Sequence, residues 1–169
     1  MFKSSMRLLG IDPGIAACGY GIVDYSANSI KHVVHGVITT PAHENISRRL
    51  FILYQELQDV IRKFSPDVCA VEELFFNKNV KTALLVGQAR GVVLLTIGQN
   101  HLPVSHFTPL QVKQAVTTYG KADKRQVQEM VRVILCLPQK PSPDDAADAL
   151  AVAICAANSA VQWESIALQ

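Results

Sequence analysis

Short apolar runs along this chain give way to longer stretches in which apolar residues recur every three or four positions. Met6–Asp12 is mostly apolar and ends in Asp12-Pro13-Gly14, a turn signal that closes a strand. Residues 18–25 and Ser29–Thr39 alternate as two further strands, and connections this short predict an antiparallel meander. Over Ile46–Phe64 the positions Leu50, Leu53, Tyr54, Leu57, Val60, Ile61 and Phe64 form one helical stripe, closed by Pro66. Within residues 67–73, Val68-Cys69-Ala70-Val71 has the unbroken apolar character of a strand covered on both faces.

The second half changes rhythm. A long helix is predicted over residues 79–99, with Gly87 and Gly91 as points of close packing, and a fifth strand over residues 103–107. Pro109 opens a short helix, and Asp123 caps another over residues 124–135. Pro138, Pro141 and Pro143 stiffen the next connection, and residues 144–157 form the last helix. Three strands and a helix, followed by strands alternating with helices, make an α/β fold with a mixed sheet. There is no internal repeat or low-complexity tract. We read residues 1–158 as one domain and residues 159–169 as a C-terminal tail.

Composition narrows the class. With 169 residues, 49% of them hydrophobic and 18% charged, the chain has the size and balance of a compact domain. Its apolar runs are short or interrupted by acids, so no membrane span is expected. Residues 1–7 lack a signal-peptide pattern, which predicts a cytoplasmic protein. Cys18, Cys69, Cys136 and Cys155 are far apart in apolar contexts, and each is expected to be a reduced, buried thiol. Charge is unevenly spread: residues 74–140 carry nine Lys/Arg against two Asp/Glu, and residues 141–169 carry four acids and no base. A basic segment beside acidic elements suits a surface that faces phosphates, as well as an ordinary solvated face.

The acids carry the chemistry. Asp12 and Glu72 each end an apolar strand, where open sheets place their ligand sites. Asp145 and Asp148 are spaced i, i+3 on the last helix, roughly 5–6 Å apart at Cβ. Converging carboxylates repel one another unless hard divalent cations join them, and an all-oxygen set selects Mg²⁺. Two such ions suffice for phosphodiester cleavage without a His or Cys nucleophile. Taken singly, each acid also suits a local structural role. Asp12 can shape its turn, Glu72 and Glu73 can be a solvated strand end, and Asp144 and Asp145 suit a helix N-terminus. Asp148 fits such a role least, because it sits among alanines and leucine with no Lys or Arg one helical turn away.

Six segments in order extend this pattern: Leu9-Gly-Ile-Asp-Pro-Gly14, Val71-Glu-Glu-Leu-Phe-Phe-Asn-Lys-Asn79, Gly87-Gln-Ala-Arg-Gly91, Gln111-Val-Lys-Gln114, Ala122-Asp-Lys124 with Gln126-Val-Gln128, and Asp145-Ala-Ala-Asp-Ala-Leu-Ala151. In them the chain resembles the RuvC-type Holliday-junction resolvases over residues 7–157. The resemblance implies an RNase H-like fold, a five-stranded mixed sheet flanked by helices. It implies a homodimeric endonuclease that cuts two opposing strands of a four-way DNA junction symmetrically, with Mg²⁺ or Mn²⁺. It also implies a branch-migration complex as partner in recombination and repair.

Carried over by position, the catalytic and metal-holding acids are Asp12, Glu72, Asp145 and Asp148, chosen over Glu73 and Asp144 by the resemblance alone. Its DNA-contacting aromatic falls on Phe75, and its two functional lysines fall on Lys113 and Lys124. Arg90 is a further candidate for the same surface as these lysines, and the helix over residues 79–99 for the dimer interface. A sugar kinase or actin-like ATPase, a DNA-binding module with structural acids, and a nuclease for another branched DNA or an RNA–DNA hybrid share parts of the pattern. The first needs a second phosphate loop, which the chain lacks.

Overall fold

The computed structural model describes residues 5–26, 29–73 and 80–159. Its strands are β1 (Met6–Asp12), β2 (Ala17–Ser26), β3 (Ser29–Thr39), β4 (Val68–Glu72) and β5 (Val104–Phe107). Its helices are α1 (Ile46–Phe64), α2 (Val80–Gln99), α3 (Pro109–Thr117), α4 (Lys124–Ile134) and α5 (Asp144–Asn158). The strands form one sheet in the order β3-β2-β1-β4-β5. β1, β2 and β3 pair antiparallel as a meander, whereas β4 runs parallel to both β1 and β5. The expected mixed sheet is therefore present, with element ends shifted by one or two residues.

Two apolar layers cover the sheet. On one face Leu9, Ile11, Ile22, Cys69 and Val71 pack with Leu53 and Leu57 of α1 and with Ala89, Val93 and Ile97 of α2. On the other, Leu8, Val23 and Ala70 pack with Val112 and Val116 of α3, Val127 and Val131 of α4, and nearly all of α5. From Ala149 to Ala157 every residue of α5 is buried, so this helix is a core element rather than an amphipathic one.

Glycines seat α5 on the sheet. A Cβ at Gly10 would meet the Ala149 carbonyl oxygen, one at Gly19 the Asp145 carbonyl oxygen, and one at Gly21 the side chain and backbone of Leu150. With only hydrogens there, the helix backbone comes down against β1 and β2, and the alanines of α5 complete the fit. This is the close packing that the alanines around Asp148 anticipated.

Two expectations need correction. Gly91 is not a close-packing point within the chain, because a Cβ there would meet nothing within 4 Å. Cys136 is exposed, since the chain turns through a positive φ of 51° just after α4. The other three cysteines are buried and free, and burial pushes the Cys18 and Cys69 thiols up to about 12 and Cys155 up to about 11, so all three stay protonated. Among the described residues, α2 is long and apolar enough to cross a membrane by length and composition alone. Its apolar run is broken by a Lys, two Gln and an Arg that are few and spread out, so no uninterrupted stretch marks it in the sequence; in the fold its buried side packs beside α1.

Candidate active site

The strand order explains how distant residues meet. β1 and β4 are parallel neighbours, and their pairing runs up to Ile11 with Val71. Asp12 and Glu72 therefore leave adjacent strands at the same, carboxyl end of the sheet. Alternation shows which of the paired glutamates faces the pocket. Val71 belongs to the core of the α1–α2 face, so Glu72 points to the opposite face, where it lines a pocket with Lys113 of α3, Lys124 of α4 and Asp148 of α5. Pro109, Val112, Val127 and Ala151 complete the lining of this volume of about 220 Å³. Glu73 is not part of it.

Asp145 and Asp148 sit at the first turns of α5, both half-buried. The Gly19 contact holds the Asp145 backbone against β2, next to the end of β1 that carries Asp12. All four sequence-predicted acids thus gather at one end of the sheet. Among the described residues, no three His, Cys, Asp or Glu stand together at the spacing of a ready metal cage. The acids are within electrostatic reach of one another rather than drawn in around a common point.

Their mutual repulsion is plain. The Asp12 carboxyl is pushed up to about 7, first by burial and then by Glu72, Asp148 and Asp145, with Lys124 opposing. Burial also raises Glu72, helped by Asp148 and resisted by Lys113 and Lys124. Asp148 is raised by burial against the pull of Lys124. Net negative charge in a partly dry site, with only lysines to offset it, is what an added cation relieves. The donors are all carboxylate oxygens, which fit a hard divalent cation and not a soft one.

The partner that Asp148 lacks on its own helix comes from another one. Lys124 Nζ lies 3.1 Å from Asp148 and 3.3 Å from Asp144. Asp123 sets that lysine in place by capping α4 in a reciprocal capping box with Gln126. Gln128, one turn further along, donates to Asp144 at 2.8 Å. Sequence spacing along α5 gave no sign of either contact, because both reach it across the α4–α5 packing. Thr108 and Gln111 form the same kind of capping box at α3, which carries Lys113. Phe75 lies outside the described residues.

The family model described as "Crossover junction endodeoxyribonuclease RuvC" matches residues 8–156. The chain belongs to this family. It is 56% identical to the RuvC crossover junction endodeoxyribonuclease of Clostridioides difficile over 154 residues, covering 91% of each chain. It is 57% identical to that of Finegoldia magna over 150 residues, 89% of this chain and 92% of the relative. Among solved structures it is similar to Thermus thermophilus RuvC in complex with Holliday junction substrate, with a TM-score of 0.87 and 36% identity over 93% of this chain and 96% of that one. The five-stranded mixed sheet with flanking helices is accordingly the RNase H-like fold of this family's nucleases.

Proposed function

We propose that this chain resolves four-way DNA junctions by cation-dependent phosphodiester hydrolysis, with Asp12, Glu72, Asp145 and Asp148 as the acids that hold the cations. The observation that carries this reading is the carboxylate group itself: four acids from β1, β4 and α5 at one sheet end, where burial first and then the neighbouring acids push Asp12 up to about 7. Two Mg²⁺ ions fit the donor chemistry, with Mn²⁺ as a substitute, and when bound they would activate water and stabilise the departing oxygen. The chain's own part is orientation and charge. Lys113 and Lys124 line the same pocket as Glu72 and Asp148, which supports a role in meeting the phosphate oxygens of the strand being cut. Phe75 is proposed to stack on an unpaired base at the opened junction, where such contacts contribute about 1–3 kcal/mol.

The domain that does this is taken as residues 1–158, acting in the cytoplasm with a branch-migration complex that supplies the junction. The second copy needed for symmetric cuts is proposed to dock on α2. Val80, Leu84 and Leu95 are 70%, 64% and 58% exposed, large values for apolar side chains, on a helix whose buried side is Ala89, Val93, Thr96 and Ile97. Leu84, Gln88, Gly91, Leu95 and Gly98 repeat at steps of four and three, the spacing of a helix–helix seam, and all are exposed. Gly91 and Gly98 open onto empty space, which lets a second helix approach closely.

The deciding experiment incubates the full chain and Mg²⁺ with labelled four-way, three-way, flapped and linear DNAs. Paired, symmetric nicks confined to the four-way junction are expected. Equal cutting of linear duplex, or none of any DNA with either Mg²⁺ or Mn²⁺, overturns the proposal.

A further inference from the structure

Outside the carboxylate pocket, Arg90 on α2 is a half-buried cation whose donors are largely unused among the described residues. Among the described residues no carboxylate pairs with it. Its Nη2 donates to Nδ1 of His106 on β5 at 2.9 Å, while its Nε is buried with no hydrogen-bond partner. A guanidinium has five N–H donors, and an arginine with a purely structural role satisfies most of them on carbonyls or carboxylates. Because a guanidinium only donates, Nδ1 of His106 must accept, which puts the imidazole proton on Nε2. His106 is exposed, and this Nε2–H has no partner among the described residues. Arg90 and His106 therefore present one fixed positive charge and several unused donors at the protein surface.

Their place in the fold gives the pair a use. His106 is in register with Val71, one residue before Glu72 with Phe107. Paired residues share a face and successive residues alternate, so His106 stands on the α2 side of the sheet and Glu72 on the α3–α5 side. The two sites lie back to back at the same sheet end, about 3.3 Å apart along the strand direction. A phosphate held by Arg90 and His106 would lie at the same sheet end as the carboxylate pocket but on the opposite face.

We propose that Arg90 and His106 bind a backbone phosphate of the junction away from the one being cut, the guanidinium supplying the charge and His106 Nε2–H a second donor. The inference rests on the junction-nuclease reading above. It assigns a positioning role and no part in bond cleavage.

The test is fluorescence anisotropy of a labelled four-way junction with the full chain, no divalent cation, over a range of salt concentrations. For R90Q, affinity should fall about tenfold, and the slope of log affinity against log salt should become shallower by about one, as for the loss of one phosphate contact. For H106A a smaller loss of about threefold is expected with the slope kept, because the ring is neutral in this pairing. A wild-type slope for R90Q overturns the proposal, including the case in which R90Q melts earlier but its folded fraction binds as wild type. Should R90Q not fold, wild-type affinity in H106A overturns it instead. If the wild-type chain does not prefer the four-way junction over linear duplex, the junction reading fails. The slope difference measured on duplex then still decides whether the pair holds a phosphate.

Discussion

Lys124 Nζ sits 3.1 Å from the carboxylate of Asp148, joining the start of α4 to the first turns of α5 across the mouth of the pocket. Burial works to lower the pKa of this ammonium, yet the hydrogen bonds and charges of Asp148 and Asp144 outweigh it and leave it raised, so Lys124 stays charged. Lys124 and Lys113 are the charges that oppose the acids, and both line their pocket. Replacing Lys124 with methionine keeps much of the stem and removes the charge. Single-turnover junction cleavage by K124M should fall by about a hundredfold, the scale of losing one fixed electrostatic stabiliser. A rate within twofold of wild type would remove Lys124 from the site.

The acids should cost stability in the absence of a cation. In D148N one of the charges that raises Asp12 and Glu72 is gone, while the side-chain shape is kept. Without divalent cation, D148N should melt above wild type, with four-way junctions still bound and no strand cut. Such a gain from a lost functional group is the usual trade at a strained site. Thermal melting in chelator and a cleavage assay check both halves. A lower melting temperature with normal cleavage would mean that Asp148 serves the core instead.

Stability should also depend on pH with a definite sign. Asp12 titrates at its ordinary 3.8 when unfolded and at about 7 when folded. Between those values the unfolded chain holds fewer protons than the folded one, so stability falls as pH rises and levels off above about 7. Half-buried His32 and His35, both with lowered pKa, act in the opposite direction in part of this window. The comparison is therefore wild type against D12N, which keeps the histidines. In chelator, D12N should gain on wild type from about pH 5 to pH 7.5, and saturating Mg²⁺ should close the gap by stabilising only the wild type. A constant gap across that range would refute the placement of Asp12 among repelling acids.

Most of the frame was legible because periodicity records burial. The meander, the buried strand Val68–Glu72 and the helices α1, α4 and α5 follow from one-dimensional patterns, since each residue's face is set by its own position along the strand or helix. What crosses between elements was not legible. Spacing along α5 put Asp145 and Asp148 on one face but gave no hint that Lys124 and Gln128 would reach that helix from α4. Choosing Glu72 over Glu73 needed the family resemblance, because alternation says that two neighbours face opposite sides without saying which side holds the pocket. Arg90 was expected on the same surface as Lys113 and Lys124, yet it stands on the other side of the sheet with His106, a separation visible only once β5 has its place beside β4.

The glycine seat of α5 makes a sharp structural prediction. In G10A the new methyl would press on the Ala149 carbonyl oxygen and on the backbone nitrogen of Ala153, neither of which can turn aside as a side-chain tip can. Overpacking of this kind costs about 1–3 kcal/mol, and for a chain of this size it should lower the melting temperature by roughly 3–10 °C. Because α5 carries Asp145 and Asp148, cleavage should drop even at temperatures where G10A is fully folded. G91A on α2, where a Cβ meets nothing within 4 Å, is the control and should leave the monomer fold as stable as wild type or slightly more so. Equal losses in the two variants would show that α5 does not depend on the glycine seat.

Helix α2 gives the last prediction, which separates the two strand cuts. Leu84 and Leu95 are 64% and 58% exposed on one side of α2, three helical turns apart and away from the carboxylate pocket. Introducing glutamate at both positions puts like charges across a symmetric seam, where each copy repeats the other's substitution. The double variant L84E/L95E should sediment as a monomer at micromolar concentration, while its circular dichroism stays that of the folded chain. Each monomer keeps a complete set of Asp12, Glu72, Asp145 and Asp148, so single nicks should persist at a reduced rate, and simultaneous paired cuts in one junction should disappear. A supercoiled plasmid bearing an extruded cruciform reads this directly, because paired cuts linearise it and single nicks only relax it. If L84E/L95E still linearises the plasmid as wild type does, the second copy docks elsewhere and the exposed apolar face of α2 has another role.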